Sequence, residues 1–283
     1  MTSHAVLRIT CPDRKGLVAA TASFLARHNL NIIDAQQHTD VDERTFFHRI
    51  KIDLEHLSMT RSDLEESLAK ECDAHSMIWS ISYSDVKQQV AIFVSKYEHC
   101  LADLLLRYRL GELDCEVPLV ISNHEKLRPS VEMFDIPFHV LKITPENKIE
   151  QEKTALKLMD RANVSLIVMA RYMQILSPIM LEKYESRIIN IHHSTLPAFL
   201  GARPYHQAHN RGVKLAGATA HYATLDLDEG PIISQGVTAC THTDTVADLI
   251  RKGRDIERTT LANAVRAHLE GRIFVHGRKT IVF

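Results

Sequence analysis

The hydrophobic pattern of this chain changes period once, at the polar stretch running from Ser84 to Gln88, and that change limits its architecture more than any other feature. Before it, strand-like alternation and helix-like spacing exchange over short distances. Residues 5–9 read as an apolar strand, and Pro12, Asp13, Arg14, Lys15 and Gly16 then turn into a helix with Leu17, Thr21, Phe24, Leu25 and His28 on one face. Segments 32–39 and 45–54 read as a hairpin across the polar turn 40–44. A second helix opens at Thr60 or Ser62, carries Leu64, Leu68 and Cys72 four apart, and leads into a strand over 77–83. The order βαββαβ predicts a ferredoxin-like unit over residues 1–84.

From Val90 the strands become continuous apolar runs, 90–94, 119–122 and 166–170, separated by helical stretches at 99–109, 128–134 and 148–162. Strands buried on both faces with helical crossovers predict an α/β, doubly wound parallel sheet for residues 85–283. Ligands of such sheets sit beyond the carboxyl ends of the strands, so the polar residues after Ala170 and Ile191 become the candidates. Composition narrows the partners. With 34 Lys+Arg against 35 Asp+Glu, the formal net charge of -1 offers no field to attract nucleic acid or an anionic membrane. The five cysteines are odd in number and form no Cys-x-x-Cys pair, which reads as reduced thiols in a cytoplasmic protein. No apolar run approaches the ~20 residues of a membrane helix, and the N-terminus lacks the pattern of a secretion signal.

The densest group of chemically capable residues lies between Ile188 and Pro197. Asn190 and His192 are two apart in a short strand, so both project to one side as the chain leaves the sheet. An amide donor beside an imidazole suits the holding of an oxyanion during proton transfer, although a turn-capping Asn and a structural His fit the same letters. A second segment, 217–235, feeds a strand into a loop with Asp226, Asp228 and Glu229, closed by Gly230 and Pro231. A carboxylate brought near His192 would orient it and favour its charged form, while Asp226 and Glu229 are equally compatible with turn chemistry.

Asn190-Ile191-His192 followed by Ser194, Leu196 and Pro197, then His221-Tyr222 and the run from Leu227 to Ile233, resembles the signature of the 10-formyltetrahydrofolate-dependent formyltransferase fold. The resemblance implies a catalytic triad of Asn190, His192 and Asp228. It implies folate contacts from Met173, Gln174, Ile175 and Leu176 after one strand, and from Leu225, Asp226 and Leu227 on a facing segment. Pro12 to Leu17 in a βαββαβ unit resembles an ACT domain, which implies an amino-acid effector such as glycine or methionine near Asp13, Arg14 and Gly16, and pairing into a homo-oligomer, a dimer or a tetramer. The combination is similar to the formyltetrahydrofolate deformylase family, in which water receives the formyl group. Residues 93–100 contain no glycine where relatives that formylate glycinamide ribonucleotide carry a glycine-rich phosphate loop, and residues 193–206 resemble the deformylase form of the loop after the catalytic histidine.

The resemblance therefore implies hydrolysis of 10-formyltetrahydrofolate to tetrahydrofolate and formate, with Asp228 as base toward water and Asn190 and His192 on the oxyanion. No cofactor and no metal are expected, since the folate is the substrate. Formyl transfer to a small amine is the alternative. A metal hydrolase using His192, His193, His206 and His209 and a non-enzymatic folate or amino-acid sensor are the rivals from other classes. Lys96, Arg171 and Arg203 are candidates for the glutamate tail of the folate.

Overall fold

In the computed structural model, residues 3–198 and 204–283 are described. The first of two units comprises residues up to Lys87 together with Glu270–Phe274 and Phe283. Its elements are β1 (His4–Pro12), α1 (Leu17–Arg27), β2 (Asn31–Asp40), β3 (Thr45–Asp53), α2 (Arg61–Ala74) and β4 (Ile78–Tyr83). They form an antiparallel sheet in the order β2-β3-β1-β4. Helix α1 buries Leu17, Phe24 and Leu25, and α2 buries Leu64, Leu68 and Cys72, against Leu7, Ile9, Phe46 and Ile50 of the sheet. Each such side chain contributes about 1.5–3 kcal/mol of burial. His28 falls one residue beyond α1, as its C-cap.

Local chemistry sets the helix starts. Gly16 stands before α1 at φ 92°, a left-handed conformation that favours glycine. Thr60, rather than Ser62, caps α2: its hydroxyl accepts from the Asp63 N–H at 3.1 Å while the Asp63 carboxylate accepts from the Thr60 N–H at 3.3 Å. Strand β3 is buried on both faces, so the sheet needs a second cover. Phe274 supplies it within this unit, with its ring 5.6 Å from that of Phe47 and beneath the Arg8 guanidinium at 4.9 Å. The return of 270–274 to the first unit departs from a continuous domain over 85–283, because a lone phenylalanine near a terminus carries no periodic signal.

The second unit spans Gln88–Leu269 and Val275–Val282. In order it contains β5 (Gln88–Val94), α3 (His99–Arg109), β6 (Cys115–Ser122), α4 (Arg128–Glu132), β7 (Phe138–Val140), α5 (Lys148–Arg161), β8 (Leu166–Met169), α6 (Pro178–Lys183), β9 (Ile188–His192), α7 (Pro204–Arg211), β10 (Leu215–Tyr222), β11 (Ile232–Ala239) and α8 (Val246–Leu269). The sheet order is β11-β10-β9-β8-β5-β6-β7. The strands from β9 to β7 are parallel, whereas β10 and β11 are added antiparallel. The chain leaves β5 on one side to build β6 and β7, then returns to place β8 on the other side. The switch between β5 and β8 opens a crevice at their carboxyl ends.

Helix α8 packs along β9, β10 and β11 through small residues. A side chain at Gly253 would collide with the Tyr205 ring, and one at Gly236 on β11 would collide with Thr260 of α8. Glu257 is carried on the same buried face of α8. All five cysteines are free and buried, and no helix among the described residues is long and apolar enough to cross a membrane.

Candidate active site

A cavity of about 550 Å³ opens in the second unit, beyond the carboxyl ends of β5, β8 and β9. Strand β9 is clamped between β8, where Met169 pairs with Asn190, and β10, where His221 pairs with Asn190 and Thr219 with His192. Ile189 and Ile191 alternate with Asn190 and His192 and are buried, and the two-residue period turns the side chains of the latter pair to the same side, where both line the cavity. Asp228 joins them from the loop after β10 with φ 59°, a left-handed conformation that aspartate adopts more readily than most residues with a side chain. The Ala223 N–H donates to the Ile188 carbonyl at 2.8 Å, and the Gly230 backbone lies so close to the Tyr222 carbonyl that no side chain fits there.

These constraints bring the three residues together. His192 Nδ1 lies 3.1 Å from Asp228 Oδ2, leaving His192 Nε2 buried with no hydrogen-bond partner. Burial works against the Asp228 charge, but the hydrogen bond from His192 and the attraction of that ring outweigh it and hold its carboxyl below the usual range. His221 adds a fourth member that the sequence reading did not place in the site. Its Nδ1 donates to the Tyr222 carbonyl at 2.9 Å, and burial pushes its pKa down, so its Nε2 carries a lone pair. That nitrogen accepts from Asn190 Nδ2 at 3.2 Å. The amide orientation is thereby fixed, with one N–H used and the other left for a ligand.

The expected folate residues divide. Met173 and Ile175 are 52% and 59% exposed and line the cavity with Gln174; Leu227 lines it as well. Leu176 is buried in the core with Met180 and Tyr184 and does not line this cavity, because its side chain points inward to anchor the loop. Leu225 and Asp226 line a separate depression on the far side of their loop, with Glu182, Glu185 and Arg278. The loop after β8 is tied at both ends: the Met173 N–H donates to Ser95 Oγ at 3.0 Å, and the Ser177 N–H and hydroxyl donate to the buried Glu152 carboxylate. Between those ties Met173 and Ile175 face outward, while Leu176 faces the core.

A polar wall completes the cavity. Glu257 accepts from His99 Nε2 at 2.7 Å and from the Tyr205 hydroxyl at 2.7 Å, and Arg171 Nε lies 3.5 Å away. Burial opposes the charge of Glu257, but these partners keep its carboxyl below the ordinary range. Arg171 is buried in this wall rather than exposed for a folate tail; Lys96 is exposed, and Arg203 lies outside the described residues. His206 and His209 project from the exposed face of α7, and among the described residues they form no ligand cluster with His192 and His193. His99, Cys100 and Glu257 do bring three donors together, but burial and the Glu257 charge push the Cys100 thiol up, which disfavours the thiolate a metal requires.

Comparison with known proteins decides the family. A sequence profile described as formyl transferase matches residues 88–265, and one described as ACT domain matches residues 5–66. Formyltetrahydrofolate deformylase of Synechocystis sp. is 49% identical over 279 residues, 99% of this chain and 98% of its own length. That of Bacillus subtilis is 47% identical over 278 residues, 98% of this chain and 93% of its own. The chain belongs to the formyltetrahydrofolate deformylase family. The crystal structure of a formyltetrahydrofolate deformylase from Pseudomonas syringae superposes with a TM-score of 0.98 at 44% identity, over 100% of this chain and 95% of the other.

In this member of the deformylase family, Asp13, Arg14 and Gly16 lie in the turn entering α1. The Asp13 N–H donates to the Arg44 carbonyl at 2.7 Å, and the Arg14 guanidinium donates to the His75 carbonyl at 2.7 Å, so Arg14 is engaged in capping α2. His221, Glu257 and Glu152 are site-shaping residues that the sequence reading missed. Of the three, only His221 carried a signal in the sequence, as part of the His221-Tyr222 pair in the motif that bears the family resemblance.

Proposed function

We infer that this chain hydrolyses 10-formyltetrahydrofolate to tetrahydrofolate and formate, with Asn190, His192 and Asp228 as the catalytic residues. The observation that carries this reading is the unpartnered Nε2 of His192 beside an oriented Asn190 amide, in a cavity edged by exposed apolar side chains suited to a pterin ring. Asp228 holds the proton of His192 on Nδ1, which leaves a lone pair on Nε2. That lone pair, rather than the already engaged carboxylate, takes a proton from water as the water oxygen bonds to the formyl carbon. The second N–H of Asn190 donates to the developing oxyanion, and the ionised Asp228 balances the imidazolium. His192 then delivers the proton to N10 as the C–N bond breaks. The remaining water hydrogen leaves with formic acid, which ionises to formate. No cofactor enters this scheme.

Water rather than an amine is the acceptor. The cavity-lining carboxylates among the described residues are Asp228 and Glu257, and both are already engaged, so neither is free to take the proton that an ammonium must lose before it can attack. Formate release from 10-formyltetrahydrofolate by chelator-treated protein, with water as sole acceptor, tests the reading. Release abolished by His192→Ala is expected; release that waits for an added amine would assign a formyltransferase instead.

The ACT unit takes an amino-acid effector in this reading, glycine or methionine, at the turn of Asp13, Arg14 and Gly16. It also supplies the contact of a cytoplasmic homo-oligomer, for which β2 is suited as an edge strand with exposed Ile32 and Ile33. Neither nucleic acid nor membrane is a partner.

A further inference from the structure

Arg171 is a buried cation without a proper partner. It is 8% exposed, lines the catalytic cavity, and has no hydrogen-bond partner for Nε or Nη1. Glu257 gives it charge compensation at 3.5 Å, too long for a hydrogen bond, while the carboxylate accepts from His99 and Tyr205. The guanidinium is instead placed by its backbone, at φ 64°, and by the Tyr97 ring, 5.0 Å away. A buried guanidinium with idle donors is costly, and a planar carboxylate matches its fork.

We propose that Arg171 is the seat of a carboxylate subsite inside the catalytic cavity, which receives formate as it leaves the formyl carbon. The inference rests on the hydrolytic reading, since hydrolysis is what generates a free carboxylate there. The neighbouring wall suits an anion. Arg254 lines the same cavity and is exposed, so a second guanidinium lies on the route to solvent. His193, whose pKa burial and the Arg171 charge lower to about 3, stays neutral and leaves Arg171 as the charged donor. The glutamate tail of the folate is a second source of carboxylate, but Arg171 is buried in the wall of the catalytic cavity rather than exposed for a tail.

The test is line broadening of carbon-13 formate by the full-length protein, alongside product inhibition by formate. The apparent Kd and the inhibition constant should rise by roughly tenfold or more in Arg171→Gln, the scale of one charge-assisted hydrogen bond, and less in Arg171→Lys. Asp228→Asn should lose turnover and keep formate binding. Equal broadening by wild type and Arg171→Gln, or formamide binding as well as formate, overturns the proposal. If Arg171→Gln does not fold, Arg171→Lys and the formamide comparison decide. A rise in folate KM that disappears with an analogue lacking the glutamate tail would give the seat to the tail and also overturn it. Failure of the hydrolytic reading shows separately, as no formate release by wild type.

Discussion

Asn190 and His221 are register partners across β9 and β10, and the amide of the first donates to Nε2 of the second at 3.2 Å. The Tyr222 carbonyl, which accepts from His221 Nδ1, determines which nitrogen is available and therefore which way the Asn190 amide faces. His221 is a positioning residue. His221→Phe should lower kcat by about tenfold to a hundredfold and leave the folate KM nearly unchanged, as measured by steady-state formate release. A raised KM with intact kcat would show that His221 shapes the folate pocket instead.

The triad should behave as a unit. Asn190→Ala removes one oxyanion donor, worth about 2.7–4 kcal/mol of barrier, so turnover should fall by about two to three orders of magnitude. His192→Ala and Asp228→Asn should each cost at least as much, and the double variant little more than His192→Ala alone, because Asp228 acts through the imidazole. Additive losses in single-turnover kinetics would separate Asp228 from His192.

Glu152 reaches the site through Ser177. Its buried carboxylate accepts from the Ser177 N–H at 3.1 and 3.2 Å and from the hydroxyl, tying down the loop that presents Met173 and Ile175. Hydrogen bonds to a charged group contribute about 1.5–3 kcal/mol, so Glu152→Gln should raise the folate KM and lower the melting temperature together. An unchanged KM in a destabilised variant would confine Glu152 to the core.

Acid should weaken the first unit through His48, which is 4% exposed and whose pKa burial lowers from 6.5 to about 4. Between those values the unfolded chain binds a proton that the folded one does not, so stability rises with pH across this window and falls as pH drops. At about pH 5 the loss from this group is about 2 kcal/mol. Urea unfolding at about pH 7.5 and about pH 5 should show a flatter pH dependence in His48→Gln; an unaltered slope would mean that His48 titrates normally. His193 acts in the same direction over a window reaching down to about 3.

The sequence by itself determined both folding patterns, since alternation up to Tyr83 and continuous apolar runs from Val90 depend on neighbours close along the chain. It also placed Asn190 and His192 on one side of a strand, because a period of two requires it. Only the tertiary structure decided what depends on distant segments meeting. The choice between turn chemistry and catalysis for Asp228 rests on a 3.1 Å approach to His192 across thirty-six residues of chain. Leu176 could be separated from Met173 and Ile175 only by the ties to Ser95 and Glu152, which turn one side chain inward and two outward. The roles of His221, Arg171 and Glu257 are hidden for the same reason, although His221 lies in the recognised motif and Arg171 is a candidate for the folate tail: burial and pairing give these groups their character, and both are set by residues far away along the chain.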